Sequence, residues 1–94
     1  MKVILSQGAL ASMQEIRRRL AMFSESAASS FTDSMERRLR QLEIFPYSGR
    51  TVPEYGSPLL REVVEPPYRI VYEVFPDRVE IVIIRHGREH IETG

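Results

Sequence analysis

Residues 68–86, YRIVYEVFPDRVEIVIIRH, contain the pattern that decides the fold class. Apolar and polar residues alternate as far as Phe75, the Pro76-Asp77 pair interrupts the pattern, and a second run rich in β-branched residues follows. We therefore predict a β-hairpin with strands at 68–75 and 78–86. Ile81 to Ile84 is apolar without a break, which is typical of a strand in the interior of a sheet.

A third strand is predicted immediately upstream, from Leu59 to Val64. Pro66-Pro67 then forms the turn into the hairpin, because proline cannot donate a hydrogen bond within a sheet. The three strands together form an antiparallel meander. Residues 46–58 contain three prolines, two glycines and two serines, so we predict an ordered surface loop there.

The two faces of this meander follow from the two-residue turn at Pro76-Asp77, since alternate side chains of a strand point to opposite faces. The predicted face toward the helices carries Tyr68, Ile70, Tyr72, Val74, Val79, Ile81 and Ile83. The predicted open face carries Arg69, Val71, Glu73, Phe75, Arg78, Glu80, Val82, Ile84 and His86. This open face is half apolar, which is typical of a surface that a partner covers.

The N-terminal half has helical periodicity after one short strand at Lys2–Leu5. Ser6 is a predicted N-cap, and Ser24-Glu25-Ser26 separates two helices that must lie antiparallel. The first apolar stripe comprises Leu10, Met13, Ile16, Leu20 and Phe23. The second comprises Ala27 or Ala28, Phe31, Met35, Leu39, Leu42 and Phe45, and Pro46 ends it.

We predict a single α+β domain over residues 1–94 that contains an N-terminal strand, an antiparallel helical hairpin and the meander. The sheet should have four strands with both helices on one face. The position of the first strand in the sheet is not fixed by the sequence.

The composition excludes several classes of function. Cysteine is absent, and no apolar run is long enough to span a membrane, so we expect a soluble cytoplasmic protein without disulfides. His86 and His90 lack a third metal ligand, and we expect neither a metal nor a cofactor. The formal net charge is zero, which counts against a nucleic-acid backbone as the main ligand.

Five local motifs occur along the chain in a fixed order. They are Gly49-Arg50, Val52-Pro53-Glu54, Leu60-Arg61-Glu62, Tyr68-Arg69-Ile70-Val71-Tyr72 and His86-Gly87-Arg88. With the predicted element order, they resemble the ParE/RelE toxin superfamily, to which plasmid stabilisation proteins also belong. The resemblance implies a RelE/ParE-like fold and a toxin that a co-produced antitoxin wraps and neutralises. Members either cleave messenger RNA in the ribosome or block DNA gyrase.

The ribonuclease branch needs closely placed basic groups and a proton carrier. Arg69 and Arg88 match two of its basic positions, but the two expected lysines fall at Leu60 and Glu62. The expected tyrosine has no counterpart, although His86 could replace it as proton carrier. These departures favour the ParE-like branch, in which inhibition is by protein binding.

Three functions stay open at this point. The leading one is a toxin that inhibits gyrase or a related topoisomerase and forms a hetero-oligomer with its antitoxin. The alternatives are a ribosome-dependent messenger ribonuclease and an inactive binding module. A ribonuclease would use Arg69, Arg88 and His86. Partner or target contacts are predicted at Arg61, Arg69, Phe75, Arg78, Ile84, His86 and Arg88.

Two of these residues have a structural alternative. Arg69 could form an ion pair with Glu73 on the sheet face, and we weigh this evenly against a functional role. Arg61 falls on the helix side if Pro66-Pro67 is a two-residue turn, where an ion pair with a helix carboxylate is the favoured reading.

Overall fold

One sheet with the strand order β1-β5-β4-β3-β2 forms the centre of the computed structural model, which describes residues 1–87. The elements are β1 (Lys2–Leu5), α1 (Gln7–Phe23), α2 (Glu25–Ile44), β2 (Arg50–Thr51), β3 (Leu60–Glu65), β4 (Tyr68–Val74) and β5 (Arg78–His86). β1 is parallel to β5, and all other neighbours are antiparallel. The predicted α+β class and the meander are confirmed.

The prediction of four strands is wrong, because the loop contains the short strand β2. Arg50 and Thr51 pair with Glu62 and Arg61 of β3. Two residues are too few to show an alternating pattern, so this strand has no signal in the sequence.

The helical hairpin forms as predicted, and a serine caps the N-terminus of each helix. The Ser6 side chain accepts a hydrogen bond from the backbone N–H of Ala9, and the Ser24 side chain accepts one from that of Ala27. The buried positions of the helices are Ala9, Ala28, Phe31, Met35 and Leu42.

Three residues of the predicted apolar stripes are exposed. The exposed fraction is 42% for Leu10, 87% for Phe23 and 62% for Phe45. Leu10 lies in the first turn of α1, Phe23 ends α1, and Phe45 is the C-cap of α2. The stripes are therefore longer than the part of each helix that packs on the sheet. No helix in residues 1–87 is long and apolar enough to cross a membrane.

A bulge in β5 changes the predicted faces beyond Ile81. The register runs Tyr72↔Ile81 and then Val71↔Ile83, which leaves Val82 as the extra residue. Ile84 therefore lies in the core on the helix side, with 2% of its surface exposed, and Ile83 lies on the other side. The prediction that Ile83 faces the helices and Ile84 the open side is wrong.

The face away from the helices is covered in part by the chain's own loop. Val52 is fully buried against Val71, and Tyr55, Leu60, Val82 and Ile83 pack around them. The expectation of a wholly open face is therefore wrong, because the 46–58 loop folds back over the centre of the sheet.

Candidate partner-binding site

A concave groove with a volume of about 510 Å³ runs along α1. We call it the α1 groove. Its helix side comprises Ala11, Ser12, Glu15, Ile16, Arg19, Leu20 and Phe23, and its sheet side comprises Tyr68, Ile84, Arg85 and His86. From Ala11 to Phe23 the helix rises by about 18 Å. This length suits a segment of another chain better than a small molecule.

The floor of the α1 groove is apolar and its rim is charged. Ile16, Leu20 and Tyr68 pack against the core from the floor. On the rim, Arg19 donates a hydrogen bond from Nε to Glu15 Oε1 at 3.3 Å. An amphipathic segment with apolar side chains turned inward would match this arrangement.

The sheet edge beside the groove has no neighbouring strand within residues 1–87. β1 pairs with β5 only from Arg78 to Ile81, so Val82 to His86 extend beyond it. Ser6 ends the pairing, since its N–H donates to the carbonyl of Ile81 at 2.9 Å and its hydroxyl to that of Val82 at 3.3 Å. Such an edge is suited to the addition of a strand from another chain.

His86 lies on the helix side, not on the open face as predicted. It pairs with Tyr68 across the sheet, and their ring centroids are 6.1 Å apart in an edge-on arrangement. The bulge at Val82 is the physical reason, because one extra residue moves every later side chain to the other face. His86 therefore lines the α1 groove.

Arg69 occupies the opposite face, within a buried network of charges. Its Nε donates to Oε2 of Glu62 at 2.7 Å, and its two terminal nitrogens donate to Glu54 at 3.1 and 3.3 Å. The Glu62 side chain has no exposed surface, and Arg50 donates to its Oε1 from Nε at 2.7 Å. Only 12% of the Arg69 side chain is exposed.

The hydrogen bonds that Arg69 donates to Glu54 and to Glu62 raise its pKa above the usual value, against the opposing effect of desolvation. The ion pair that the sequence suggested for Arg69 does form, but its acids are Glu62 and Glu54 and not Glu73. Register explains Glu62: Arg69 pairs with Val64, which places Glu62 at the diagonal position on the same face.

Arg61 lies on the helix side, as the two-residue Pro66-Pro67 turn predicted. The expected ion pair with a helix carboxylate does not form within residues 1–87. Its guanidinium donates to the carbonyls of Pro58 and Gly49, both at 3.0 Å, and lies 5.0 Å from the Tyr47 ring centroid. Arg61 thus fastens the 46–58 loop to β3.

Phe75 and Arg78 meet at the tip of the β4–β5 hairpin. The Phe75 N–H donates to the Arg78 carbonyl at 2.8 Å, which confirms the predicted two-residue loop. The Arg78 guanidinium lies 4.1 Å from the centre of the Phe75 ring and is paired with Asp77 at 2.9 Å. This tip is far along β4 from the α1 groove, so the structure does not bring all predicted contact residues together.

The groups proposed for ribonuclease chemistry do not converge in the described chain. Arg69 and His86 point to opposite faces of the sheet, and Arg88 lies outside the described residues. Residues 1–87 contain no group of three side chains able to hold a metal ion.

The sequence pattern indicates neither the α1 groove nor the burial of Glu62. Ile16 and Leu20 were assigned to the core, although the periodicity could not show that the sheet leaves them partly uncovered. The sequence places Glu62 in the Leu60-Arg61-Glu62 motif and at a position where the ribonuclease pattern has a lysine, but neither feature predicts that this acid is buried. Its position two residues before Val64 was a signal for a diagonal ion pair, once the Pro66-Pro67 turn length was known.

The sequence matches one protein family over most of its length. The family is described as the ParE toxin of the type II toxin-antitoxin system, parDE, and its model matches residues 3–91. The chain belongs to the ParE toxin family. The predicted resemblance to the ParE/RelE superfamily, on the ParE side, is thereby confirmed.

A solved structure supports the ParE assignment at the level of fold. The chain is similar to a chain of the chromosomal ParDE TA system from P. aeruginosa, with a TM-score of 0.73 and 20% sequence identity. The match covers 92% of this chain and 95% of that chain. A comparison of the sequence with curated proteins finds no match.

Proposed function

We propose that this ParE family member inhibits DNA gyrase by protein binding and is neutralised by an antitoxin segment that occupies the α1 groove. The environment of Arg69 is the observation that supports inhibition by binding. Its guanidinium is enclosed by the carboxylates of Glu54 and Glu62, and Leu60 and Glu62 stand where the ribonuclease pattern has lysines. A phosphate at Arg69 would meet two negative charges at close range.

The ribonuclease alternative also lacks a suitable geometry for proton transfer. A general acid or base must reach within about 3 Å of the proton that it moves, directly or through one water. His86 is separated by the sheet from Arg69, so the two cannot act on one ribose phosphate as placed. This supports binding as the mode of inhibition.

The antitoxin is expected to bind as an amphipathic segment. The α1 groove offers an apolar floor, arginine and glutamate at its rim and, from Val82 onward, a part of β5 that extends beyond its pairing with β1. These features suit a chain that inserts apolar side chains and donates backbone hydrogen bonds at the same time.

Gyrase inhibition is tested with the purified chain and purified gyrase in a supercoiling assay. We expect supercoiling to stop at a modest molar excess of the chain and to resume when the product of the adjacent antitoxin gene is added. In a translating extract, messages should stay intact. Full supercoiling at large excess, or cleaved messages that disappear in Arg69→Ala, would refute the proposal.

The place of the antitoxin is tested by a matched pair of exposed residues. Phe23 lines the α1 groove and Met22 does not, although 87% and 79% of their surfaces are exposed. Phe23→Ser should weaken antitoxin binding about tenfold or more, since removal of a buried interface aromatic costs about 1.4 kcal/mol or more. Met22→Ser should bind as wild type in titration calorimetry. Equal affinities in the two variants would place the antitoxin elsewhere.

A further inference from the structure

A second exposed apolar surface lies where α2 ends and β3 begins. Its members are Ile44, Phe45, Tyr47 and Leu59, whose exposed fractions are 69%, 62%, 54% and 44%. We call it the apolar band. Scattered apolar residues on a surface need no explanation, but the Tyr47 ring of this set lies against the Arg61 guanidinium, and tyrosine and arginine are enriched at binding hot spots.

The segments of the apolar band are held together by hydrogen bonds around Arg61. The Arg61 guanidinium donates to the carbonyl of Pro58, next to Leu59, and lies over the Tyr47 ring. The N–H of Ser48 donates to the Phe45 carbonyl at 3.0 Å. The band is therefore pre-organised, which lowers the entropy that a partner must remove on binding.

The charge of Arg61 indicates the chemistry of the partner. Within the described chain its acceptors are backbone carbonyls, and no carboxylate forms an ion pair with it. The Arg61 guanidinium lies beside apolar side chains and has no carboxylate partner within the described chain. It is therefore complementary to a carboxylate on another molecule. The partner should present an apolar ridge with an aspartate or glutamate beside it.

The apolar band is separate from the α1 groove. The groove contains Tyr68 at the start of β4, whereas Leu59 accepts a hydrogen bond from Val74 at the end of β4. Six residue steps along a strand span about 20 Å. One segment that fills the groove therefore leaves the band uncovered.

We infer that the apolar band is the surface that contacts the cellular target protein, with an acidic side chain of the target opposite Arg61. This inference rests on the proposed function in one respect, namely that the chain acts by binding a protein. It adds the site of that contact, and it holds for gyrase or for any other protein target.

The test compares two exposed substitutions with a control. Phe45→Ser and Leu59→Ser each remove one apolar side chain from different segments of the band, and Met22→Ser removes one that is 79% exposed and lies in neither surface. Substitutions of exposed residues change stability by about 0.5 kcal/mol or less, so all three variants should fold. Thermal unfolding and antitoxin affinity confirm this for each.

Growth of a bacterial host without antitoxin is the first readout, and inhibition of purified gyrase is the second. We expect Phe45→Ser to relieve growth arrest. Half inhibition of gyrase should require about tenfold more of this variant than of wild type, which corresponds to about 1.4 kcal/mol of binding free energy. Leu59→Ser should have a smaller effect in the same direction, and Met22→Ser none. The inference would be overturned if both band variants arrested growth as strongly as wild type. It would also be overturned if Met22→Ser lost as much toxicity as the band variants.

Results that refute gyrase as the target differ from results that refute the role of the apolar band. A wild-type chain that arrests growth without inhibiting gyrase refutes gyrase as target, while the growth readout still decides the role of the band. A wild-type chain that leaves growth and supercoiling untouched overturns both proposals together.

Discussion

At Glu62 the chain places a carboxylate without exposed surface between the guanidinium groups of Arg50 and Arg69. Both oxygens accept hydrogen bonds, so the acid is satisfied where it is buried. Glu62→Gln removes the charge and leaves Arg69 with Glu54 alone. We expect the free energy of unfolding to fall by about 3 kcal/mol, since breaking a buried ion pair on one side costs about 3 to 5 kcal/mol.

Arg50→Gln is the matched control for this substitution, and urea denaturation measures both. The Arg50 side chain is 69% exposed, so its ion pair is screened by water and its loss should cost less than about 1 kcal/mol. Equal losses of unfolding free energy in Glu62→Gln and Arg50→Gln would show that the burial of Glu62 does not determine how much its ion pairs stabilise the fold.

The burial of Tyr72 leads us to expect that the free energy of unfolding falls in alkaline solution. Burial raises the pKa of its hydroxyl from the ordinary value of 10, although the hydrogen bond from the Gly49 N–H lowers it in part. The unfolded chain loses this proton from about pH 10 upward while the folded chain keeps it. The stabilising effect is therefore complete below about pH 10 and declines as the pH rises toward the folded pKa.

Tyr72→Phe should separate this effect from the hydrogen bond. Near pH 8 the variant should be less stable by about 1 to 3 kcal/mol, because the buried Gly49 N–H loses its acceptor. Near pH 11 the difference from wild type should shrink, since only wild type has this proton to lose. A difference that stays constant between these two pH values, measured by urea denaturation, would contradict the assignment.

The turn before β2, within the 46–58 loop, depends on Gly49. A Cβ atom at this position would lie 2.5 Å from the backbone oxygen of Glu62 and 2.6 Å from the Tyr72 hydroxyl oxygen. Both atoms are fixed, one by the sheet and one by burial. We expect Gly49→Ala to lower the free energy of unfolding by about 2 kcal/mol or more, because overpacking of a core costs about 1 to 3 kcal/mol.

Gly8→Ala is the control for Gly49→Ala, measured by the same thermal and urea unfolding. Gly8 lies in the first turn of α1 with nothing within 4 Å of a new Cβ atom. Alanine there should stabilise the chain by about 0.5 to 1 kcal/mol, the usual difference between alanine and glycine within a helix. A neutral Gly49→Ala would mean that the loop can move away from β4 at little cost.

The elements show where sequence reasoning succeeds and where it stops. Pro66-Pro67 and Pro76-Asp77 mark the two turns, since proline limits the backbone in a way that the sequence displays directly. The bulge at Val82 has no such mark: Ile81 to Ile84 is uniformly apolar, and each residue suits either face. Ile83, Ile84 and His86 were therefore placed on the wrong faces. Similarly, periodicity predicts the apolar stripe of α1 but not how far the sheet extends beneath it.

At the scale of the whole molecule, the proposed antitoxin and target surfaces lie at opposite ends of β4. α1 forms the wall of the groove at one end, and the apolar band at the other end comprises the end of α2, Tyr47 and Leu59. Coverage of the groove alone therefore does not block the band. Neutralisation requires an antitoxin that continues past the groove, or one whose folded part shields the target.

A series of antitoxin truncations tests this separation. The distance of about 20 Å corresponds to about six residues of extended chain or about thirteen of helix. We expect a fragment that fills only the α1 groove to bind the chain in calorimetry and raise its melting temperature, because a ligand of the folded state stabilises it by mass action. The same fragment should leave supercoiling inhibited, and fragments extended by about that length should restore it. A groove-only fragment that restores supercoiling completely would mean that the target contacts the groove itself, since the fragment would then compete for the same apolar floor.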